Sequence, residues 1–186
     1  MSLPLPKRRF TVDEYLRMAE LGILSAGERL ELIEGEIIQM AAMGSPHAAC
    51  VSRLTQLLTR GVGDRALVRV QCPIHLSDLS APEPDLALVR PREDHYASAH
   101  PGADDVLLLI EVGETTVEFD RGAKAALYAR AGIAEYWLVD LPASAIDVFR
   151  EPGTEGYRDV RRYRAGDLLR PAALPALDVL VEAVLG

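Results

Sequence analysis

The fold is decided by one stretch of the chain, residues 105–140, which reads DVLLLIEVGETTVEFDRGAKAALYARAGIAEYWLVD. Its first apolar run, Val-Leu-Leu-Leu-Ile, is typical of a strand buried at the centre of a sheet. Residues 115–118, Thr-Thr-Val-Glu, have the form of a capping box, which predicts a helix from there to about Arg130. The second apolar run, residues 136–139, predicts another buried strand, with Trp137 in the core. The stretch therefore indicates an alternation of strand, helix and strand.

The flanking segments extend this alternation in both directions. A second capping box at residues 11–14 predicts a first helix. Further predicted elements are a hairpin at 29–40, a helix from Ser45 to Gly61, strands at 66–76 and 85–89, a hairpin at 145–164 and a closing helix at 176–185. We therefore expect an α/β fold, a central sheet with helices packed on it. Residues 1–186 are predicted to be a single domain, with residues 1–9 as a flexible tail.

Composition excludes several classes of protein. The chain has 186 residues, of which 49% are hydrophobic and 26% charged, which are ordinary values for a globular domain and not for a disordered or collagen-like chain. No apolar run approaches the roughly 20 residues of a membrane span, so no membrane association is expected. The first ten residues lack the apolar segment of a signal peptide, and the two cysteines show no metal-binding spacing. We expect reduced thiols and a cytoplasmic location.

The charge pattern limits the ways in which the chain could meet nucleic acid. The net charge is −8, which argues against a protein that coats nucleic acid through a general positive field. It does not exclude an enzyme that reaches a phosphodiester through metal ions. Eighteen of the 20 basic residues are arginine, and the lysines are Lys7 and Lys124. A lysine kept at position 124 is a mild indication that arginine does not serve there.

Two acidic residues sit next to predicted buried strands. Asp85 begins the strand after Pro84, and Glu111 ends the Val-Leu-Leu-Leu-Ile run. If these strands pair antiparallel, both carboxylates project at one edge of the sheet, within reach of one divalent cation. Mg²⁺ prefers oxygen ligands and often takes one or two carboxylates, with water and phosphate completing its shell. The alternative is that both residues are charges at strand ends that reach solvent.

Lys124 is the third candidate. It lies on the predicted helix after the Glu111 strand and shares one helix face with Asp120 and Tyr128. If this helix packs back over the sheet, a partly exposed ammonium there could orient an attacking water or neutralise charge on a phosphate. The alternative is a surface ion pair between Asp120 and Lys124, worth a few tenths of a kcal/mol.

Six pieces of the sequence, in order, carry a resemblance to a known family. They are LELIEGE at residues 30–36, His47, PDL at 84–86, LIEV at 109–112, DRGAK at 120–124 and YARAGIAEYWLVD at 128–140. The chain resembles the Uma-type restriction endonuclease family, within the PD-(D/E)xK nuclease superfamily, over residues 10–185. The last piece is the most specific of the six.

The resemblance implies a restriction-endonuclease-like core, with a central mixed β-sheet flanked by helices. It implies a catalytic site of Asp85, Glu111, Lys124 and Glu31, with Mg²⁺ or Mn²⁺ held by Asp85 and Glu111. The superfamily lysine lies two residues after the glutamate, where this chain has Gly113, and Lys124 fits the displaced position on the next helix.

The sequence also departs from the family in the turn after the glutamate. Glu114 stands where relatives tend to carry a Ser-Pro-Ser-Thr type turn. Its extra negative charge beside Glu111 could add a ligand or weaken the approach of phosphate.

Weaker candidates lie outside this set. His47 is either a packing or hydrogen-bonding residue or a residue at the edge of the site. Glu34 and Glu36 flank the predicted hairpin turn and are expected to be exposed. The arginines of the last hairpin favour a solvated surface over a DNA-contacting ribbon; they are Arg158, Arg161, Arg162 and Arg164. His75, His95 and His100 are expected in loops or on the surface.

Two functions remain open from the sequence. The first is a metal-dependent endonuclease that hydrolyses phosphodiester bonds, with DNA as the expected substrate and a twofold homodimer as the expected assembly. The second is a catalytically weak or inactive protein that keeps the nuclease fold for binding. The net charge, Gly113 and Glu114 favour the second function, whereas the retention of Asp85, Glu111 and Lys124 favours the first.

Overall fold

Six strands form one mixed sheet in this computed structural model, which describes residues 7–25 and 27–186. The first six residues of the predicted tail therefore lie outside the described residues. Ten strands lie within the described residues. They are β1 (Leu30–Ile33), β2 (Glu36–Gln39), β3 (Leu67–Val70), β4 (Leu86–Val89), β5 (Val106–Gly113), β6 (Glu135–Asp140), β7 (Ala145–Gly153), β8 (Gly156–Tyr163), β9 (Leu168–Leu169) and β10 (Val179–Leu180). Six of them, β3 to β8, form this sheet.

Five α-helices accompany the strands. They are α1 (Val12–Glu20), α2 (Ser45–Val62), α3 (Val117–Phe119), α4 (Ala125–Arg130) and α5 (Val181–Leu185). A five-residue π-helical segment, Asp120–Lys124, joins α3 to α4 into one continuous helical run. Helix α1 carries the predicted capping box, because the Thr11 hydroxyl accepts from the backbone N–H of Glu14 and the Glu14 side chain accepts from that of Thr11.

The central sheet has the order β3-β4-β5-β6-β7-β8. Strands β5 and β6 run parallel, and every other neighbouring pair in this sheet runs antiparallel. The predicted strands near 85–89, 105–112 and 136–140 are the three consecutive strands β4, β5 and β6. The predicted α/β fold with a central mixed sheet flanked by helices is therefore confirmed.

The two faces of the sheet pack against different helices. Alternate residues of the central strands, among them Leu88, Ile110 and Trp137, form one apolar cluster with α2 and α5. Their neighbours, among them Leu109 and Leu138, form a second cluster with α4 on the opposite face. Trp137 is fully buried, as its position in the sequence predicts.

Three local predictions are wrong in detail. The predicted strand at 66–76 ends at Val70, because Gln71 adopts a positive φ of 48° that a continuing strand cannot accommodate. The capping box at 115–118 does not form. Instead, the Thr116 hydroxyl donates to Asp120, within the π-helical segment that interrupts the predicted helix. The closing helix is shorter than predicted, since residues 179–180 pair with β9 as a strand before α5 begins.

Within residues 7–25 and 27–186, no helix combines the length and the hydropathy needed to cross a lipid bilayer.

Candidate active site

The register between β4 and β5 brings Asp85 and Glu111 together. Leu86 pairs with Ile110 in this antiparallel ladder, so the residue before β4 lies opposite the residue after Ile110. The backbone N–H of Asp85 donates to Glu111 Oε2 over 3.4 Å. The two residues are only 5% and 3% exposed. The expected antiparallel pairing is confirmed, and the alternative of strand-end charges that reach solvent is wrong.

Strand alternation also decides which face carries the two carboxylates. Asp85 lies two residues before Ala87, and Glu111 lies two residues after Leu109, and both of these apolar residues belong to the cluster packed against α4. The carboxylates therefore point to the face of the sheet that the helical run at 117–130 covers.

Glu31 reaches the same place from the β1–β2 hairpin. Leu32 forms an antiparallel bridge with Ala81, which holds the hairpin against the loop that leads into β4. The Glu31 carboxylate is 3% exposed and accepts a hydrogen bond of 3.2 Å from the backbone N–H of Glu83. Its Oε2 lies 3.1 Å from Lys124 Nζ. The hairpin thus supplies the third acidic residue that the sequence predicted.

Lys124 lies between Glu31 and Glu111. Its ammonium donates to Glu111 Oε1 over 3.0 Å, and the whole residue is 4% exposed. The expectation of a partly exposed lysine is wrong, because the helical run packs directly over the sheet face that carries Glu111. Lys124 ends the π-helical segment. Such single-turn π segments occur frequently at functional sites, where the wider turn redirects side chains.

Asp120 does not form the surface ion pair that the alternative for Lys124 required. It is 3% exposed, and its Oδ2 accepts a 2.6 Å hydrogen bond from the Thr116 hydroxyl. Burial raises the pKa of the Asp120 carboxyl, although the Lys124 ammonium acts in the opposite direction. Asp120 is therefore a fourth buried carboxyl group at this face of the sheet.

The protonation of the site reflects burial more than pairing. Burial raises the pKa of Glu111 to about 8, since the Asp85 charge adds to the shift and the Lys124 ammonium offsets only part of it. Burial alone would lower the pKa of Lys124, but the carboxylates of Glu111 and Glu31 outweigh it and raise that pKa above its ordinary value. Lys124 accordingly remains an ammonium while Glu111 can take up a proton near neutral pH.

Position 113 has no room for the lysine of the superfamily pattern. A Cβ placed on Gly113 would lie 2.7 Å from Val117 Cγ2 and 3.2 Å from its Cα. Real Cβ atoms do not approach other atoms this closely, so a side chain here would push α3 off the end of β5. The helix start occupies the space after the glutamate, and the ammonium comes from Lys124, eleven positions further along the chain.

A cavity of about 490 Å³ opens onto these groups. This volume lies within the range of pockets that bind small ligands. Asp85, Glu111, Glu31, Asp120 and Lys124 all line the cavity. Apolar side chains lie at its exposed margin, with Met43 39% and Phe119 37% exposed. The four predicted site residues thus share one solvent-accessible cavity.

Comparisons with known proteins identify the family and the fold of this chain. The model of the family Uma2, described as "putative restriction endonuclease", matches residues 12–182. The chain belongs to the Uma2 family. No curated protein sequence matches this Uma2 chain.

One solved structure resembles this Uma2 protein over nearly all of its length. It is a crystal structure of a protein from Anabaena variabilis, described as "a putative nuclease belonging to DUF820". The similarity covers 95% of this chain and 97% of that one, with a TM-score of 0.78 and 19% sequence identity. At that identity the comparison shows a shared fold.

The donor set of this Uma2 protein fits a hard divalent cation with two protein carboxylates. The cavity brings together four buried carboxyl groups and one buried ammonium, and ionising all four carboxyl groups would be costly without further cations. No group of three or more His, Cys, Asp or Glu side chains within the described ranges has the arrangement of a metal site. A site built on Asp85 and Glu111 alone leaves positions for water and phosphate, as Mg²⁺ prefers.

The weaker candidates divide between the site and the surface. His47 lines the cavity and its Nε2 lies 2.9 Å from Asp85 Oδ1, so it is at the edge of the site. That hydrogen bond raises the pKa of His47, although burial acts in the opposite direction. Glu34 and Glu36 are exposed, as predicted. The four arginines of the last hairpin are exposed, as the predicted solvated surface requires, and Arg162 also bonds Asp147 and Asp140 within the protein.

Sequence reasoning gave no role to two residues that contact the acidic pair. The Tyr128 hydroxyl donates to Glu111 Oε1 over 2.6 Å, and the shared helix face with Lys124 was the signal that could have assigned it. The Gln71 amide donates to Asp85 Oδ1 over 3.1 Å. The role of Gln71 could not be predicted, because the alternation of apolar and polar residues at 66–76 does not indicate that the backbone turns there.

Proposed function

We propose that this Uma2 family member is a metal-dependent endonuclease that hydrolyses phosphodiester bonds in DNA. The observation that supports this most directly is the convergence of Asp85, Glu111 and Lys124 in one cavity with an excess of buried carboxyl groups. Ionisable groups with raised pKa values in a cleft, such as Glu111 and Asp120, mark a candidate functional site. The family description supports the same reaction class.

In this proposal each residue has a distinct role. Asp85 and Glu111 hold Mg²⁺ or Mn²⁺, which when bound supplies polarisation of the phosphoryl oxygen and a lowered pKa of water. The Lys124 ammonium orients the attacking water or neutralises charge on the scissile phosphate. Glu31 holds Lys124 at the acidic pair, through the 3.1 Å contact between its Oε2 and Nζ. Tyr128 fixes the Glu111 carboxylate by donating to Oε1, the oxygen that Lys124 also bonds.

The proposal extends to assembly and location. We propose that residues 1–186 act as one domain, that two copies form a twofold dimer, and that the protein works in the cytoplasm. Cleavage of both strands of a duplex is simplest with two sites related by a dyad, and twofold dimers are the commonest oligomers. Light scattering at several concentrations tests the dimer, and a monomer mass throughout would contradict it.

The experiment that tests the activity is cleavage of plasmid and single-stranded DNA in Mg²⁺ and in Mn²⁺. We expect the parent to cleave, and the Asp85→Asn and Glu111→Gln variants to lose that activity. Glu118→Gln is the matched control, because Glu118 lies on the same helical run but its side chain is 90% exposed and outside the cavity. A parent that cleaves no nucleic acid in either metal would contradict the proposal.

A non-catalytic binding protein with the same fold is the second candidate. The observation that favours it is Glu114, a further carboxylate that lines the cavity and opposes the approach of a phosphate. Binding of Mn²⁺ by the parent, without cleavage of DNA or RNA, would favour this candidate over the nuclease.

A further inference from the structure

The orientation of the Asp85 carboxylate is fixed by three hydrogen-bond donors from three separate elements. His47 of α2 donates from Nε2 to Oδ1 over 2.9 Å. The Gln71 amide, directly after β3, donates to the same oxygen over 3.1 Å. The backbone N–H of Val112 in β5 donates to Oδ2 over 2.9 Å. The side chain therefore has little freedom to rotate.

These three bonds also decide which part of the carboxylate is available to a cation. An ionised carboxylate has about four lone-pair sites, two on each oxygen. His47 and Gln71 together occupy those of Oδ1, and Val112 occupies one on Oδ2. The remaining lone pair belongs to Oδ2, the oxygen held beside the Glu111 strand. Asp85 is thus arranged to offer one oxygen, on the side of its acidic partner.

Gln71 has a backbone conformation that is unfavourable for its residue type. Its φ is 48°, in the left-handed region that glycine adopts freely and that costs other residues about 1–2 kcal/mol. Its backbone N–H donates to the Asp85 carbonyl oxygen over 3.0 Å. One residue therefore bonds both the main chain and the side chain of Asp85. A glycine would relieve the strain at this position but would lack the amide.

Another residue with the same φ shows what is unusual about Gln71. Ser144 also has a φ of 48°, but it lies exposed in the turn between β6 and β7, where a positive φ serves only to reverse the chain. Gln71 is half-buried, and its side chain bonds a carboxylate that is 5% exposed. Backbone strain that is maintained beside a candidate site points to a role in that site.

We infer that Gln71 is a positioning residue that aims Oδ2 of Asp85 at the cation shared with Glu111. The inference rests on the proposed function, since it assigns a task in the same metal site. Gln71 acts through Asp85 and does not contact the cation. Partners that orient a metal-binding carboxylate typically contribute 10–100-fold to metal affinity.

The test compares two substitutions that remove the amide but treat the backbone differently. Gln71→Gly removes the amide and relieves the strain, whereas Gln71→Met removes the amide and keeps the strain in a side chain of similar length. Mn²⁺ affinity is measured by calorimetry and the melting temperature is measured in chelator. We expect both variants to bind Mn²⁺ about 10–100-fold more weakly than the parent, although their melting temperatures differ from each other.

Ser144→Gly is the matched control for the backbone change. It makes the same substitution of glycine at the same φ, away from the cavity, and should leave Mn²⁺ affinity unchanged. If Gln71→Met binds as the parent does while Gln71→Gly binds weakly, affinity follows the backbone conformation and not the amide, and the inference is wrong. If both variants bind as the parent does, the inference is also wrong but the proposed metal site stands. A parent that binds no Mn²⁺ would overturn the proposed function and the inference together.

Discussion

Two ionic clusters built on buried carboxyl groups lie on the same face of the sheet and differ in their charge balance. The cavity cluster consists of Glu31, Asp85, Glu111, Asp120 and Lys124, four carboxyl groups with one ammonium. The second, here the arginine cluster, consists of Arg121, Arg162, Asp140 and Asp147, two carboxylates with two guanidinium groups. Lys124 and Arg121 belong to the same π-helical segment. One short helical run thus supplies a cation to each cluster.

The arginine cluster is complete within the protein. Arg162 bonds both oxygens of Asp147, over 2.6 and 2.7 Å, and Arg121 joins Asp147 to Asp140. Burial would raise the pKa of Asp147, but these guanidinium bonds outweigh it and hold that pKa below its ordinary value. Every charge has a partner, so this cluster needs nothing from outside to be stable.

The cavity cluster has no such balance. Its single ammonium contacts two carboxylates, and the pKa of Glu111 lies above its ordinary value rather than below it. The same elements therefore carry one cluster whose charges balance and one whose carboxyl groups cannot all ionise without a further cation. Buried ionisable groups with shifted pKa values, as in the cavity cluster, are typical of functional sites.

The largest expected effect concerns Lys124 and activity. Lys124→Ala should lower metal-dependent cleavage of plasmid and single-stranded DNA by about 10²–10³-fold, the cost of removing one group that stabilises the transition state. Lys124→Arg should also be impaired, because a broad guanidinium cannot take the place of a compact ammonium between Glu31 and Glu111. Lys7→Ala is the matched control, since the Lys7 side chain is 75% exposed and pairs with Glu36, outside the cavity.

Because Lys124 is buried, its substitution should also lower the stability of the protein. Removal of the ammonium leaves Glu31 and Glu111 without their shared partner, so the melting temperature in chelator should fall as well. Cleavage is therefore measured well below the melting temperature of each variant. Equal rates for the parent and Lys124→Ala would show that the ammonium only stabilises the cluster.

The next effect concerns the arginine cluster and stability. Arg162→Ala should lower the free energy of unfolding by about 2 kcal/mol, because it leaves the buried Asp147 short of two hydrogen bonds. Arg161→Ala is the control, since its side chain is 66% exposed on the other face of β8 and bonds Asp159, a neighbour on the same strand. Urea unfolding measures both variants, and Arg161→Ala should have little effect.

The comparison between clusters becomes sharper if Mn²⁺ binding is measured in the same variants. Arg162→Ala should bind Mn²⁺ as the parent does, because Arg162 contacts no residue of the cavity cluster. Weaker binding in Arg162→Ala would show that the two clusters are coupled through their shared helical segment and are not separate in function.

The elements and site residues that depend on local pattern could be predicted from the sequence. The apolar runs of β5 and β6 predicted the centre of the sheet. The assumption that β4 and β5 pair antiparallel then predicted that Asp85 and Glu111 lie together. The burial of Lys124 could not be predicted, since a lysine on an amphipathic helix is ordinarily exposed. It follows from the packing of that helix over β5.

Long-range hydrogen bonds were the other feature that the sequence did not reveal. Gln71 bonds Asp85 because the chain turns at a positive φ, and nothing in residues 66–76 signals that turn. The arginine cluster was missed for a related reason. Arg162 is exposed, as predicted, but its salt bridges were not predicted, because Asp140 and Asp147 lie on other strands and become neighbours only through the register of β6, β7 and β8.

A third expected effect is that the metal-free protein loses stability as the pH rises. The pKa of Glu111 is raised to about 8 in the folded state. Its contribution to stability is therefore fully present below its unfolded pKa and is lost as the pH rises through about 8. Glu111→Gln lacks this titration. In chelator, the free energy of unfolding of the variant relative to that of the parent should therefore rise by about 2 kcal/mol between pH 6 and pH 8.

Thermal melts across this pH range, with and without Mn²⁺, measure the effect. Mn²⁺ should stabilise the parent and not the variant, since a ligand stabilises only the state that binds it. A constant difference between parent and variant over the whole pH range would show that Glu111 is ionised throughout. In that case the cavity cluster would be as well compensated as the arginine cluster.

The smallest expected effect concerns Glu114, the carboxylate that adds to the imbalance at the margin of the cavity. A Cβ placed on Gly44 would lie 2.5 Å from Glu114 Oε2, so this carboxylate lies against the first residues of α2. The helix has no side-chain cap of its own, and a negative charge near its N-terminus stabilises it by a few tenths of a kcal/mol. Glu114 therefore has a structural reason to be present, in addition to its effect on an approaching phosphate.

Glu114→Gln separates these two effects. Removal of one partly exposed charge a few ångströms from a phosphate changes the interaction by about 1 kcal/mol, and less as salt screens it. In the Lys124→Ala background, where cleavage is slow, Glu114→Gln should bind a fluorescent single-stranded oligonucleotide about fivefold more tightly at low salt, as measured by anisotropy. This advantage should shrink as salt is added. A lower melting temperature with unchanged binding would mean that Glu114 only stabilises the start of α2. Only the buried carboxyl groups of the cavity cluster would then affect the binding of nucleic acid.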